Sequence, residues 1–110
     1  MPKHNVIVTG HHLAITDGLK EALDTRLNQL SDHANEPLKG RVFLKTDKAQ
    51  HIAEAVVNIR GSQLVAKASG QDMYDALGKL SDRLETQFKK RKAVEDGAHR
   101  RDTIRRNPFG

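Results

Sequence analysis

Residues 53–93 read AEAVVNIRGSQLVAKASGQDMYDALGKLSDRLETQFKKRKA, and a change of period inside this stretch decides the fold. Up to Ser69 the apolar residues alternate. Ala53, Ala55, Val57 and Ile59 share one face of a strand predicted over residues 53–60, and Leu64, Ala66 and Ala68 share one face of another over 63–69. Arg60-Gly61-Ser62 reads as a tight turn that joins them as an antiparallel hairpin. Past Gly70 the period lengthens: Met73, Leu77, Leu80, Leu84 and Phe88 recur at steps of three and four, which at about 100° per residue makes one apolar stripe on a helix. Asp72 is the expected N-cap. Lys79, Arg83 and Lys90, with Thr86 among them, fall on a different arc that points to solvent. Four cations, Lys89, Lys90, Arg91 and Lys92, close the helix, where positive charge suits the negative end of its dipole.

Working outward, residues 40–46 supply a further strand candidate, and the polar residues 47–51 read as a longer connection to the next one. Near the start of the chain, residues 5–9 form a short strand with Val6 and Val8 on one face, followed by a Gly10-His11-His12 corner. The helix after it has Thr16 as N-cap and Asp17 in its first turn. Leu19, Leu23, Leu27 and Leu30 give it an apolar stripe through about Ala34. Asn35-Glu36-Pro37 ends it, because the residue before a proline is biased away from the helical region. The order is β-α-β-β-β-α, so the fold class is α+β: a sandwich with two helices packed on one face of a four-stranded sheet. From Glu95 the periodicity stops and Gly97 is expected to end the second helix. Residues 1–94 are therefore read as the folded domain and residues 95–110 as a flexible basic tail.

The chain of 110 residues carries 19 Lys plus Arg against 14 Asp plus Glu, a formal net charge of +5 that favours polyanionic partners. It has no cysteine, which excludes disulfides, thiolate catalysis and Cys-based zinc sites. Residues 1–10 hold no apolar run of signal-peptide length, and no stretch approaches a membrane span, so the expectation is a cytoplasmic protein with no membrane partner. One Tyr, three Phe and no Trp weigh against an aromatic platform that stacks the bases of a single strand.

Sites of chemistry are sparse. His4, His11, His12, His33, His51 and His99 are scattered without a metal-binding spacing, and adjacent His11 and His12 would point to opposite sides of an extended segment. Neither phosphate-loop pattern, G-x-x-x-x-G-K-[ST] or G-x-G-x-x-G, occurs. No serine sits in a nucleophile elbow, and Asp72 and Asp75 lie on a solvated helix flank where burial cannot tune them as an acid/base pair. No enzyme, cofactor, metal or small-molecule substrate is expected. The basic ridge has a bland alternative, a helix charged for solubility and laced by pairs such as Asp75 with Lys79. What favours a phosphate-binding role is that Lys20 and Arg26 on the first helix, the end of the second helix and the tail all carry the same sign.

The block NVIVTGHHLAIT over residues 5–16, with GQDMYDAL over 70–77 and the KLxxRLxxQxKK helix that follows, closely resembles the ribosome hibernation promoting factor family over roughly residues 5–93. The resemblance implies a bacterial stationary-phase protein of β-α-β-β-β-α fold. It implies a seat on the small ribosomal subunit, over the tRNA and messenger path, where the protein contacts ribosomal RNA and silences translation without chemistry. Carried over by position, the RNA-binding residues are Lys79, Arg83 and Lys90, reinforced by Lys89, Arg91 and Lys92, with Lys20 and Arg26 on the first helix. Residues 31–35 depart from the family's bulkier apolar pattern, so a shorter or looser end of the first helix is expected. The length leaves no room for the C-terminal dimerisation domain of long family members. A relative of similar size, the ribosome-associated translation inhibitor, ends in an acidic extension, whereas this chain ends in RRNPFG. The short hibernation-promoting form, which pairs ribosomes beside a separate ribosome modulation factor, is thus the implied subtype. The alternatives are a stand-alone double-stranded RNA-binding protein, whose basic cluster would sit at the other end of the last helix, and a regulatory interaction protein that does not bind RNA.

Overall fold

The computed structural model describes the backbone of residues 4–104 and the side chains of residues 5–91. The elements follow the expected order: β1 (His4–His11), α1 (Asp17–Ala34), β2 (Leu38–Asp47), β3 (Gln50–Ile59), β4 (Ser62–Gly70) and α2 (Met73–Ile104). The strands form one sheet in the order β1-β2-β3-β4. β1 pairs with β2 in parallel, from His4 opposite Leu38 to His11 opposite Lys45, and α1 is the crossover that a parallel pair needs. The other two pairings are antiparallel hairpins.

Both helices lie on one face. The inward residues of the sheet, Val42, Leu44, Ala53, Ala55, Val57, Ile59, Leu64, Ala66 and Ala68, form one core with the leucines of α1 and with Met73, Ala76, Leu77, Leu80, Leu84 and Phe88 of α2. α2 rests on β4 and β3, while α1 packs against β1 and α2. The two helices run in the same direction. Gly18 lies by the Tyr74 hydroxyl, Arg26 by Gly78, and His33 Nδ1 against Glu85 Oε1, so contact positions advance together along both chains.

Both helix starts are capped as expected. The Thr16 hydroxyl accepts from the Leu19 amide at 3.2 Å, and Asp72 Oδ1 accepts from the Asp75 amide at 2.8 Å. Asp75 answers by accepting from the Gln71 amide at 3.1 Å, a variant of the reciprocal capping box.

Four expectations are corrected. The end of α1 is neither short nor loose. Asn35 closes it in the left-handed conformation (φ 58°), buried Ser31 donates its hydroxyl to the Glu36 carbonyl at 2.7 Å, and Arg60 Nε reaches the Ala34 carbonyl at 3.4 Å. Small polar residues here satisfy the helix terminus instead of packing. Residues 47–51 are not a long connection: Asp47 pairs with Gln50 across a two-residue turn, Lys48-Ala49, with Lys48 at φ 57°. Their polarity reflects exposure at the end of the sheet, which leaves the ladder intact. His11 and His12 do not diverge, because His12 leaves the strand at φ 58° and the two rings meet edge to face at 4.2 Å. Finally, α2 does not stop at Gly97 but continues to Ile104. A single mid-helix Gly costs only about 1 kcal/mol relative to Ala, and the Lys, Arg, Ala and Glu around it favour helix. Residues 105–110, the rest of the expected tail, lie outside the described residues.

The β3–β4 turn is as expected. Arg60 (φ 52°) and Gly61 (φ 76°) both take positive φ, the signature of a two-residue primed turn. It is also anchored, since the Arg60 amide donates to Glu36 Oε2 at 2.9 Å.

Candidate nucleic-acid interface

The apolar stripe of α2 fixes the helix azimuth, and that azimuth decides which cations face water. Leu77, Leu80 and Leu84 are buried, which turns Lys79, Arg83 and Lys90 outward; Lys89 flanks that arc, Arg91 falls seven residues after Leu84 on the apolar azimuth, and all five cations are exposed. The side chain of Lys92 is outside the described residues. On α1, Lys20 is exposed and Arg26 half-buried. The guanidinium of Arg26 reaches α2 at Gly78, where an added Cβ would stand 3.4 Å from Nη2. The structure therefore gathers Arg26 with the Gly78-Lys79 turn of α2 across the helix seam. Lys20 stands apart, about 120° around α1 from Arg26 at 100° per residue.

These cations are not equivalent. Lys79 Nζ lies 3.2 Å from Asp75 Oδ2, so its charge is partly offset within its own helix. The Gln71 amide and, next, Lys79 hold the Asp75 carboxyl below its ordinary value. Arg83 does not extend freely into solvent, because its Nη1 donates to the backbone carbonyl of Lys67. One turn on, Gln87 Nε2 donates to the Val65 carbonyl at 2.6 Å. β4 is an edge strand, and these two side chains occupy its outward carbonyls. They bound a shallow groove lined by Val65, Lys67, Asp82 and Thr86. Lys89, Lys90 and Arg91 are in none of the ion pairs between described residues, which leaves the end of the ridge as its most available charge.

Sequence reasoning left one group of cations unassigned. Lys39, Arg41 and Lys45 of β2 and Lys67 of β4 project from the sheet face opposite the helices. A signal was present: in KGRVFLK, residues 39–45, every second residue is a cation or Phe43, which puts them all on one face of a strand. Among the described residues no cluster of His, Asp and Glu could hold a metal ion, and no helix is long and apolar enough to cross a membrane.

Comparison with known proteins agrees with the fold. The family described as sigma 54 modulation protein / S30EA ribosomal protein matches residues 6–94. A ribosome hibernation promoting factor of Acinetobacter guillouiae is 35% identical over 100 residues, covering 82% of this chain and 88% of the relative. One of Salmonella typhimurium is 35% identical over 85 residues, covering 77% and 90%. Among solved structures, a ribosomal subunit interface protein from Coxiella burnetii superposes with a TM-score of 0.72 at 29% identity, over 82% of this chain and 98% of that one. The N-terminal domain of Protein Y from Thermus thermophilus gives 0.73 at 29% identity, over 78% and 97%. With residues 6–94 matched by the family and two relatives at 35% identity over most of the chain, the chain belongs to the sigma 54 modulation protein / S30EA ribosomal protein family, which includes the ribosome hibernation promoting factors.

Proposed function

We propose that this protein is a cytoplasmic factor that binds the small ribosomal subunit over the tRNA and messenger path and reversibly silences translation in stationary phase. It acts by occupying ribosomal RNA, without catalysis. In this reading it acts beside a separate ribosome modulation factor to pair ribosomes. The observation that carries the reading is the outward arc of α2, Lys79, Arg83 and Lys90, flanked by Lys89 and Arg91 and joined across the helix seam by Arg26, with Lys20 adding charge elsewhere on α1, on a domain whose relatives are named for ribosome hibernation. Cations on a helix meet a phosphate backbone at lower cost than cations on a mobile tail, because the backbone that carries them is already ordered. Residues 1–94 serve as the binding domain, and Arg100, Arg101, Arg105 and Arg106 beyond it add to affinity.

The test is co-sedimentation with purified small subunits across a salt series. A Lys89→Ala, Lys90→Ala, Arg91→Ala variant should bind more weakly, with a logarithmic salt slope lowered by about 0.7–0.9 for each phosphate contact removed. Its circular-dichroism spectrum should be unchanged, since Ala is a strong helix former. Arg83 is better kept out of this variant because it also holds the edge of β4. Equal pelleting of variant and parent at every salt concentration would refute the reading. Truncation after Ala93 should weaken binding while the thermal midpoint moves by no more than a few degrees.

A further inference from the structure

The sheet face that no helix covers has an ordered chemistry of its own. The strand register arranges it in rows across β1, β2, β3 and β4: Ile7, Arg41, Val56 and Val65, then Thr9, Phe43, Glu54 and Lys67, with Lys39 and Lys45 on β2 flanking these two rows. Ile7, Val65 and Phe43 are 59%, 57% and 39% exposed, so apolar side chains from β1, β2 and β4 meet water among the charges of this face, with Phe43 diagonal to Ile7 and to Val56. Exposed apolar side chains of this kind mark interaction surfaces when they form one patch with charged residues around them.

The charges say what kind of partner fits. Lys39, Arg41, Lys45 and Lys67 face Glu54 and, at the hairpin end, Asp47. Glu54 sits between Lys45 at 3.3 Å and Lys67 at 3.6 Å. Lys39 and Arg41 hold no carboxylate among the described residues. A second copy of this chain would bring four more cations to the interface with only its own Glu54 and Asp47 to offset them, and the excess of like charge is unfavourable. Duplex RNA would satisfy the cations but bury its base faces, leaving the apolar side chains without a partner. An unpaired RNA strand satisfies both, with phosphates on Lys39 and Arg41 and bases lying on Phe43, Ile7 and Val65.

We propose that the open sheet face is a second RNA-docking surface that takes a single-stranded RNA segment, its bases on Phe43 and its apolar neighbours and its phosphates on Lys39, Arg41 and Lys67. The inference stands apart from the helix-borne contact proposed above, because the two surfaces lie on opposite sides of the sheet. The shortage of aromatic residues in the sequence argues against this only if stacking needs several rings; here the register puts one ring among four cations.

The experiment is fluorescence anisotropy of the full chain with a labelled 12-nucleotide oligoadenylate in a salt series. Phe43→Ala should weaken binding about fivefold to a hundredfold, the loss seen when one stacking ring is removed. Lys39→Gln with Arg41→Gln should lower the logarithmic salt slope by about 1.4, two contacts at about 0.7 each for a single strand. In a Lys89→Ala, Lys90→Ala, Arg91→Ala background, which removes the helix-borne phosphate contacts, the sheet substitutions should still produce these losses. If Phe43→Ala does not fold, amide chemical-shift mapping of the unmutated chain replaces it, with shifts expected at β1, β2 and β4 residues of the open face. Loss of binding in the helix variant but not in the sheet variants would overturn the inference while leaving the helix-borne contact intact. So would no binding of the oligonucleotide by the unmutated chain, or a concentration-dependent dimer that Phe43→Ala abolishes.

Discussion

Gly40→Ala should be among the most damaging small substitutions in this protein. Gly40 lies in β2 opposite Val57 of β3, at φ +158°. A Cβ added there would stand 2.0 Å from the Val56 carbonyl oxygen, 2.8 Å from Val57 Cα and 3.0 Å from the Val56 carbonyl carbon. Ordinary carbon–oxygen contacts between strands are about 3.3–3.6 Å, so more than an ångström is missing. All three neighbours are backbone, and no side-chain rotation can relieve the clash. Either β3 shifts as a unit, at an overpacking cost of about 1–3 kcal/mol, or ladder hydrogen bonds beside the residue are lost at about 1 kcal/mol each. A loss of about 3 kcal/mol lowers the thermal midpoint of a domain this size by about 12–24 °C, at 4–8 °C per kcal/mol. Gly61→Ala is the control, since its site has nothing within 4 Å and a φ of +76°. Only the left-handed backbone is penalised there, by about 1 kcal/mol. Thermal unfolding followed by circular dichroism compares the three proteins. If Gly40→Ala melts within 3 °C of the parent, or no lower than Gly61→Ala, the close approach of β2 and β3 is not what requires glycine. Because Gly40 lies between Lys39 and Arg41, the same variant should also lose oligonucleotide binding in step with its folded fraction.

Three other outcomes follow from the structure. Leu84 is 1% exposed, so Leu84→Ala should cost about 2–5 kcal/mol in chemical denaturation while the salt slope of ribosome binding by the folded protein stays unchanged; a changed slope would mean that Leu84 touches RNA. Asp75 has a carboxyl held below its ordinary value by the Gln71 amide and then by Lys79, so its contribution is present above the ordinary carboxylate pKa and is lost as pH falls through the lower folded value. Asp75→Asn should therefore melt lower than the parent near pH 6, with the gap closing below about pH 4, and a gap independent of pH would show that charge is not the cause. Removing the guards of the β4 edge with Arg83→Ala and Gln87→Ala should leave helix content unchanged but produce concentration-dependent association in sedimentation velocity; a monodisperse double variant would show that the two side chains do not protect the edge.

Particular residues show why some features were legible in the sequence and others were not. The alternation of Ala53, Ala55, Val57 and Ile59, the stripe from Met73 to Phe88 and the caps at Thr16 and Asp72 depend on neighbours within a few positions, and all of them reappear in the structure. Two of the misread features turned on pairings that the polarity of the residues hides. Asp47 and Gln50 looked like loop residues because they are polar, yet the ladder between β2 and β3 pairs them. Ser31 looked like a weak place in α1 until Glu36 and the anchored Arg60 turn closed the helix end around it.

The sequence by itself determined the order and type of the elements, the buried face of each and the sign of the charge on α2, because periodicity and composition are local properties of a chain. Only the tertiary structure decided which of those charges remain available. Arg83 is drawn to the free carbonyls of β4, Lys79 shares its charge with Asp75, and Arg26 crosses to α2 at Gly78. It also decided that Lys39, Arg41, Phe43 and Lys67 stand on one uncovered surface. The physical reason is that a side chain's partners are set by strand order and helix seating, which bring together residues tens of positions apart and which no local pattern encodes.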